Sequence, residues 1–307
     1  MAKILVATEK PFAKPAINGI REITEKEGYE LSLLEKYTDK SELLKAVSGV
    51  EALIVRSDKV DREVIEAGGN LKIVVRAGAG YDNVDLEAAS EKGIVVMNTP
   101  GQNSNAVAEL ATGMMVYSAR NMFNGSAGTE LYGKKVGIHG YGNVGKHINR
   151  IAKGFGMEVY TYHPRVEKRV IEGEGVIPVD SIEELYSTCQ YISLNIPARE
   201  ENLKAVGHKL LSAMPANGTL VNTARKEVID EEGLLRVMEE RNDIKYLSDI
   251  EPDCKGQMSE KFPGRYFFTP KKMGAQTAEA NINAGIAAAK QIAGYLKDGD
   301  TTFRVNK

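Results

Sequence analysis

An α/β protein built from two doubly wound parallel sheets is what this sequence predicts, on three observations. Short apolar runs recur along the whole chain, separated by longer amphipathic stretches. The runs are continuous rather than alternating, as in strands covered on both faces. The length of 307 residues suits two domains better than one, at roughly 100 to 200 residues per domain.

In the first series, Ile4–Ala7, Ala52–Val55, Ile73–Val75 and Ile94–Met97 read as buried strands, with helices such as Ser41–Val47 and Leu86–Lys92 between them. The rhythm pauses at Asn98-Thr99-Pro100-Gly101, turn residues that precede an Ala-, Val- and Met-rich helix over Asn103–Arg120. A second series follows through Lys135–His139, Glu158–Tyr162, Tyr191–Ile196, Thr219–Asn222 and Ile244–Asp249. The Ala-rich stretch Thr277–Lys297 has helical periodicity, and packing it back on the first sheet would make that domain discontinuous. The expected division is 1–99 with 278–307 for one domain and 100–277 for the other.

Composition narrows the function. Lys plus Arg number 40 against 42 Asp plus Glu, so a net charge of −2 offers no electrostatic footprint for nucleic acid or an anionic membrane. Cys189 and Cys254 are far apart and in no ligand spacing, so neither disulfides nor a metal site are expected, and a reducing, cytoplasmic setting fits. No apolar run approaches the roughly 20 residues of a membrane span, and the opening residues read as a strand. A soluble protein acting on small molecules is the expectation.

The most informative local pattern is Gly140-Tyr141-Gly142-Asn143-Val144-Gly145, which follows a strand and opens a helix over Lys146–Lys153. Strand, glycines and helix stand in the order that dinucleotide binding requires. Gly140 makes the tight turn, Gly142 lets the backbone approach a pyrophosphate, Gly145 lets helix pack on strand, and the amides of the helix N-terminus face the phosphates. The next strand, however, ends in Tyr162-His163-Pro164-Arg165, where a carboxylate would normally bond the ribose hydroxyls. Nothing there repels a 2′-phosphate, and Arg165 could attract one or be a solvated charge; NAD is expected and NADP stays open.

Further blocks stand in a fixed order: Ile54-Val55-Arg56-Ser57; Val75-Arg76-Ala77-Gly78-Ala79-Gly80; Asn98-Thr99-Pro100-Gly101-Gln102-Asn103; Val221-Asn222-Thr223-Ala224-Arg225; and Gly274-Ala275-Gln276-Thr277. By these the chain resembles the D-isomer-specific 2-hydroxyacid dehydrogenases over nearly its whole length, and more narrowly their phosphoglycerate branch, in a short form without a regulatory domain. The resemblance implies a cofactor domain inserted into a substrate domain, an active site in the cleft between them, and a homodimer formed through the cofactor domain. It makes Arg225 the group that binds the substrate carboxylate and polarises the C2 oxygen, a task suited to the bidentate, permanently charged guanidinium. Ala77 and Gly78 are implied to give backbone amides to the same carboxylate, and Ser57 and Asn103 to help hold the substrate. Beside the glycine loop, His163, Pro164, Asn195, Ile196, Pro197, Thr223, Ala224, Asp249, Gly274 and Ala275 match cofactor-lining positions. Arg56 and Arg76 match cations near a substrate phosphate, although strand-end arginines also serve ordinary ion pairs.

One departure stands out. The family carries a His two residues before the Gly-Ala block and a Glu that orients it. Here Thr269-Pro270-Lys271-Lys272-Met273-Gly274 puts Lys272 at that position with one residue inserted, and the only histidines are His139, His147, His163 and His208. The Asp249-Ile250-Glu251-Pro252 stretch is contracted, which leaves Glu251 without an assured role. A carboxylate helper would work against a lysine base, whereas burial and a neighbouring cation such as Arg225 would lower its pKa. The resemblance therefore implies oxidation of D-3-phosphoglycerate at C2, the first step of serine biosynthesis, with Lys272 as proton acceptor. Reduction of glyoxylate, hydroxypyruvate or another 2-keto acid is the second reading, and a non-catalytic dinucleotide-sensing protein the third.

Overall fold

The structure, a computed structural model, describes residues 1–164 and 166–306. Arg165, the residue offered above to a 2′-phosphate, lies outside the described residues. The chain forms two compact units: one from Met1 to Asn103 together with the stretch from Gln276 onward, the other Ser104–Ala275.

The first unit runs β1 (Lys3–Thr8), α1 (Lys14–Lys26), β2 (Glu30–Glu35), α2 (Lys40–Val47), β3 (Ala52–Val55), α3 (Arg62–Ala67), β4 (Ile73–Arg76), α4 (Leu86–Glu91) and β5 (Val95–Asn98). The second runs α5 (Ser104–Ala119), β6 (Lys135–His139), α6 (Asn143–Gly154), β7 (Glu158–Tyr162), α7 (Lys168–Gly173), β8 (Ile177–Pro178), α8 (Ile182–Thr188), β9 (Tyr191–Leu194) and α9 (His208–Ser212). It continues with β10 (Thr219–Asn222), α10 (Glu231–Glu240), β11 (Lys245–Ser248), α11 (Lys255–Lys261) and β12 (Tyr266–Phe268), before α12 (Ala278–Asp298) returns to the first unit.

Every named strand pairing is parallel, so both sheets are the doubly wound kind expected. The first sheet has the order β2-β1-β3-β4-β5 and the second β12-β11-β10-β9-β6-β7-β8. Parallel strands bury both faces, and the side-chain alternation divides each core in two. In the first unit Ile4, Val6, Ile54 and Val75 meet α1 and α12, while Leu5, Leu53, Val55 and Val74 meet α2, α3 and α4. In the second, Val136, Ile138 and Val221 meet α5 and α6, while Ile192, Leu194 and Leu220 meet α8, α9 and α10. The α12 helix can lie close to α1 because its Gly285 has no side chain: a Cβ there would stand 3.2 Å from both Phe12 and Ile20.

Three strands are additions to the sequence expectation. β2 is an edge strand of the first sheet with Glu at both ends and no buried position, while β8, of two residues, and β12 are the two edges of the second sheet. Edge strands lack the continuous apolar run that marks a central one. Among the described residues, no helix is long and apolar enough to cross a membrane.

Each sheet reverses its strand order once, and ligands of open α/β sheets bind beyond the carboxyl ends of the strands at that point. In the second sheet β6 stands between β7 and β9; in the first, β1 stands between β2 and β3.

Candidate active site

At the β6/β9 switch point the glycines act as their spacing requires. Gly140 has φ +99°, and a Cβ on it would lie 3.0 Å from the Asn195 carbonyl oxygen. On Gly145 it would lie 2.7 Å from the Gly140 carbonyl and 2.9 Å from Ile138, so helix and strand pack in contact there. Gly142 differs: it is the N-cap of α6, a Cβ would meet nothing within 4 Å, and no side chain caps the helix. The first turn, with Asn143 exposed and Val144 half-buried, is accessible at the positive end of a twelve-residue helix, which suits an anion. Tyr141 does not share this exposure. It is 2% exposed, its hydroxyl donates to Glu174 at 2.6 Å and accepts from Asn149 at 3.0 Å, so its side chain fastens α6 to the end of α7 and only its backbone faces the loop.

A cavity of about 390 Å³ lies beyond these strand ends, lined by Gly140, Gly142, His163, Pro164, Asn195, Ile196 and Pro197. His139, Tyr162, Arg199, Glu201 and Asn202 line it too. Of these, His139 stands directly before the first glycine, a signal that was available in the sequence; the loop residues carried none. His139 is buried, its Nδ1 is 3.3 Å from the Tyr186 hydroxyl, and desolvation pushes its pKa down to about 4, so it is neutral at neutral pH.

The β10 and β11 ends bring the other expected residues together. Asn222 is fully buried; its Nδ2 donates to the Arg225 carbonyl at 3.0 Å and to the Tyr246 hydroxyl at 3.2 Å, and its Oδ1 accepts the Ala224 amide at 3.0 Å. The 222–225 turn is thus held from within. Arg225 Nη1 donates to the Ala224 carbonyl at 2.9 Å, and Lys272 Nζ donates to the same oxygen at 3.0 Å. Asp249, one residue past β11, is fully buried and accepts the Gly274 amide on Oδ2 at 2.8 Å. Burial raises its pKa against the opposing pull of the Gly274 and Met273 amides and of the Lys272 and Arg225 charges. A Cβ on Gly274 would come within 2.8 Å of that Oδ2, which accounts for the glycine. Lys272 is exposed, so the burial expected around its amine is not found, and the amine stands beside the Arg225 guanidinium on one oxygen. Glu251 is exposed and paired with Lys255 at 2.5 Å.

Among the described residues at the β9, β10 and β11 ends, three buried polar atoms have no hydrogen-bond partner: Asn195 Oδ1 beside the glycine turn, and Thr223 Oγ1 and Asp249 Oδ1 past β10 and β11. Leaving such groups unpaired costs about 1–3 kcal/mol each, and a ligand that carries donors relieves the cost. An open phosphate-binding turn at one end and unpaired acceptors at the other fit a dinucleotide with a carboxamide.

The first unit treats its cations differently. Arg56 follows β3, and its Nη1 donates to the Lys10 and Pro11 carbonyls at 2.8 and 3.1 Å. Its Nη2 donates to Asn281 at 2.5 Å, and its guanidinium lies 5.2 Å from the Phe12 ring centroid. Buried Asp58 braces the same turn by accepting the Glu9 and Arg56 amides at 2.7 and 3.2 Å, while Ser57 is exposed. Arg76 Nε donates to the Arg56 carbonyl at 2.9 Å, and its guanidinium covers Gly78, where a Cβ would fall 1.6 Å from Nη1. The Ala77 and Gly78 amides, expected to meet a substrate carboxylate, instead donate to the Val55 and Arg76 carbonyls, both at 2.8 Å. The sharp turn after β4 closes these bonds internally. Asn103 is half-buried in the turn before α5.

A family model, "D-isomer specific 2-hydroxyacid dehydrogenase, catalytic domain", matches residues 8–306. The chain is 49% identical to a NAD⁺-bound 3-phosphoglycerate dehydrogenase of Entamoeba histolytica, with a TM-score of 0.88 over 100% of this chain and 99% of the other. It is 35% identical to a D-3-phosphoglycerate dehydrogenase of Methanocaldococcus jannaschii over 97% of its own length, but spans only 58% of that relative. It is 34% identical to a hydroxypyruvate reductase of Thermotoga maritima, covering 86% of this chain and 90% of the other. The chain belongs to the D-isomer specific 2-hydroxyacid dehydrogenase family.

Proposed function

From membership of this family, we propose that the chain is an NAD-dependent oxidoreductase that oxidises D-3-phosphoglycerate at C2. The observation that carries the reading is the convergence of Arg225 and Lys272 on one carbonyl oxygen beside buried Asp249. The turn at Gly140, Gly142 and the first turn of α6 would hold the pyrophosphate, with His163 and Pro164 on the adenosine side. Thr223, Ala224, Asp249, Gly274 and Ala275 would hold the carboxamide. The nicotinamide, when bound, supplies the acceptor for the hydrogen and electron pair that leave C2.

The chain's own residues do the rest. Arg225 takes the substrate carboxylate on two N–H groups and draws electron density from the C2 oxygen. Lys272, as the neutral amine, accepts the hydroxyl proton. Because both nitrogens already share one acceptor, a carboxylate on Arg225 brings its adjacent hydroxyl towards Lys272. The carboxylate of Asp249 sets the position of Lys272 by holding the Gly274 amide, and so acts as a positioning residue.

For the substrate, the support is the identity of 49% to a 3-phosphoglycerate dehydrogenase together with Arg56 and Arg76. Three of the five Arg56 donors are committed to Lys10, Pro11 and Asn281; Nε–H and one Nη2–H remain for a phosphate. The same commitments favour a second reading, reduction of hydroxypyruvate or glyoxylate, which needs no phosphate site. With the phosphoglycerate reading go a cytoplasmic homodimer and the first oxidation of serine biosynthesis. Turnover measured with phosphoglycerate, glycerate and glyoxylate, each with both dinucleotides, separates the readings. Phosphoglycerate with NAD should give the highest kcat/KM; a preference for the unphosphorylated acids would replace the first reading by the second.

A further inference from the structure

We infer that the Lys272 amine is also a covalent capture site for small 2-oxo acids, which it holds as an imine. The inference rests on the proposed use of Arg225 as the carboxylate anchor.

An imidazole and a primary amine can both accept a proton, but only the amine condenses stably with a ketone or aldehyde. The substitution of Lys272 for the family's histidine therefore adds a reactivity to the site. Its placement makes that reactivity selective. Lys272 Nζ and Arg225 Nη1 bond the same Ala224 oxygen at 3.0 and 2.9 Å, so amine and guanidinium are one shared acceptor apart. In a 2-oxo acid the electrophilic carbon is bonded directly to the carboxylate. An acid whose carboxylate forks onto Arg225 thus presents its carbonyl carbon to the neighbouring amine, and holding two reactants together raises their effective concentration by orders of magnitude. Lys272 is also exposed, so its amine can exchange its bond to Ala224 for the incoming carbonyl, and water can leave. Lys271, one residue away and equally exposed, has its carbonyl tied to Thr269 Oγ1 at 2.8 Å and supplies an internal reference.

The step conserves atoms and electrons. The neutral Nζ lone pair adds to the carbonyl carbon, and a proton passes from nitrogen to the former carbonyl oxygen to give a carbinolamine. That hydroxyl takes a second proton and departs as water while nitrogen loses its remaining hydrogen, leaving a C=N bond. Nothing is oxidised or reduced until a hydride donor is added.

The test uses the full chain without dinucleotide, glyoxylate as probe, and cyanoborohydride to reduce any imine to a stable carboxymethyl amine. Peptide mass mapping should find that label at Lys272 about 10-fold above Lys271. The preference should vanish with acetaldehyde, which has no carboxylate, and in Arg225→Gln, while Lys272→Arg should abolish label at that position. Equal labelling of the two lysines, or a preference that survives in Arg225→Gln, overturns the inference. The two readings fail separately. Turnover of phosphoglycerate without selective labelling sinks the capture alone, whereas selective, Arg225-dependent labelling in a chain that oxidises no hydroxy acid supports the capture and sinks the dehydrogenase reading.

Discussion

At its switch point between β6 and β9, the second sheet keeps side chains out: Gly140 and Gly142 leave backbone amides facing a cavity of about 390 Å³. At the corresponding point of the first sheet, between β1 and β3, Arg56 crosses the crevice and bonds the Lys10 and Pro11 carbonyls of the β1–α1 loop. One crevice is left for a ligand, and the other is largely closed by the protein's own guanidinium. The same contrast separates the two pairs of cations. Arg225 and Arg56 are both half-buried, but Arg225 meets Lys272 on one backbone oxygen of a braced turn, whereas Arg56 bridges two carbonyls, an amide and an aromatic ring. A strand-end arginine is therefore a ligand group or a structural rivet according to what already surrounds it, and residue type alone does not decide.

The comparison makes its largest demand at Arg225. Replacing it with Gln removes the two charge-assisted bonds proposed to the substrate, worth about 1.5–3 kcal/mol each, so kcat/KM should fall between about 10²- and 10⁴-fold. Dinucleotide binding, followed by fluorescence titration, should hardly change. Loss of dinucleotide affinity on the same scale would mean that Arg225 belongs to the phosphate-binding side. Next comes Lys272→Ala, for which loss of the proton acceptor should lower kcat about 10²- to 10³-fold, with Lys271→Ala nearly silent. Equal losses at both lysines would contradict the placement of the inserted residue.

In the first unit the expected effects are on stability. Arg56→Ala leaves the Pro11 carbonyl and Asn281 Oδ1 without their donor, while the Lys10 carbonyl keeps the Thr8 hydroxyl, at about 2 kcal/mol in urea unfolding. It should also raise KM for phosphoglycerate more than for glyoxylate, because only the former loses a phosphate contact. An Arg56→Ala protein as stable as the parent would show that the crevice is not closed by this side chain.

The smallest effect concerns His139 at the rim of the open crevice. Its folded pKa of about 4 lies below the ordinary histidine value, so as pH falls from 6.5 towards 4 the unfolded chain binds a proton that the folded one refuses. Stability is complete above pH 6.5 and should decline by about 2 kcal/mol by pH 5 from this group. His139→Phe should flatten that part of the stability profile; an unchanged slope would mean that the ring is protonated in the folded protein.

How much of this was legible in the sequence follows from how local each feature is. The β6 strand, its glycines and α6 are contiguous, and Gly140 and Gly145 answer backbone requirements set by their neighbours, so the strand-turn-helix unit could be read directly. The ordered blocks singled out Arg225 and Lys272, and the structure brings both to the Ala224 carbonyl, a meeting that nothing in the sequence showed. The inward turn of Tyr141 depends on Glu174 and Asn149, and the commitment of the Ala77 and Gly78 amides depends on a turn closed against β3. Such contacts are long-range, and no spacing reveals them. The residues that line the far side of the cavity, Arg199, Glu201 and Asn202, come from a loop without a motif.

The central claim is that Lys272 is the proton acceptor beside Arg225, and the pH dependence of hydroxy-acid oxidation in the parent and in Lys272→His tests it most directly. A lysine amine ordinarily titrates near 10.4 and an imidazole near 6.5, so exchanging one for the other must move the rising limb of the profile if residue 272 is the base. The parent limb should lie on the alkaline side, above about pH 8, and a slower Lys272→His variant should show a limb shifted towards neutrality. An active Lys272→His variant with an unshifted profile would contradict it and place the titrating group elsewhere.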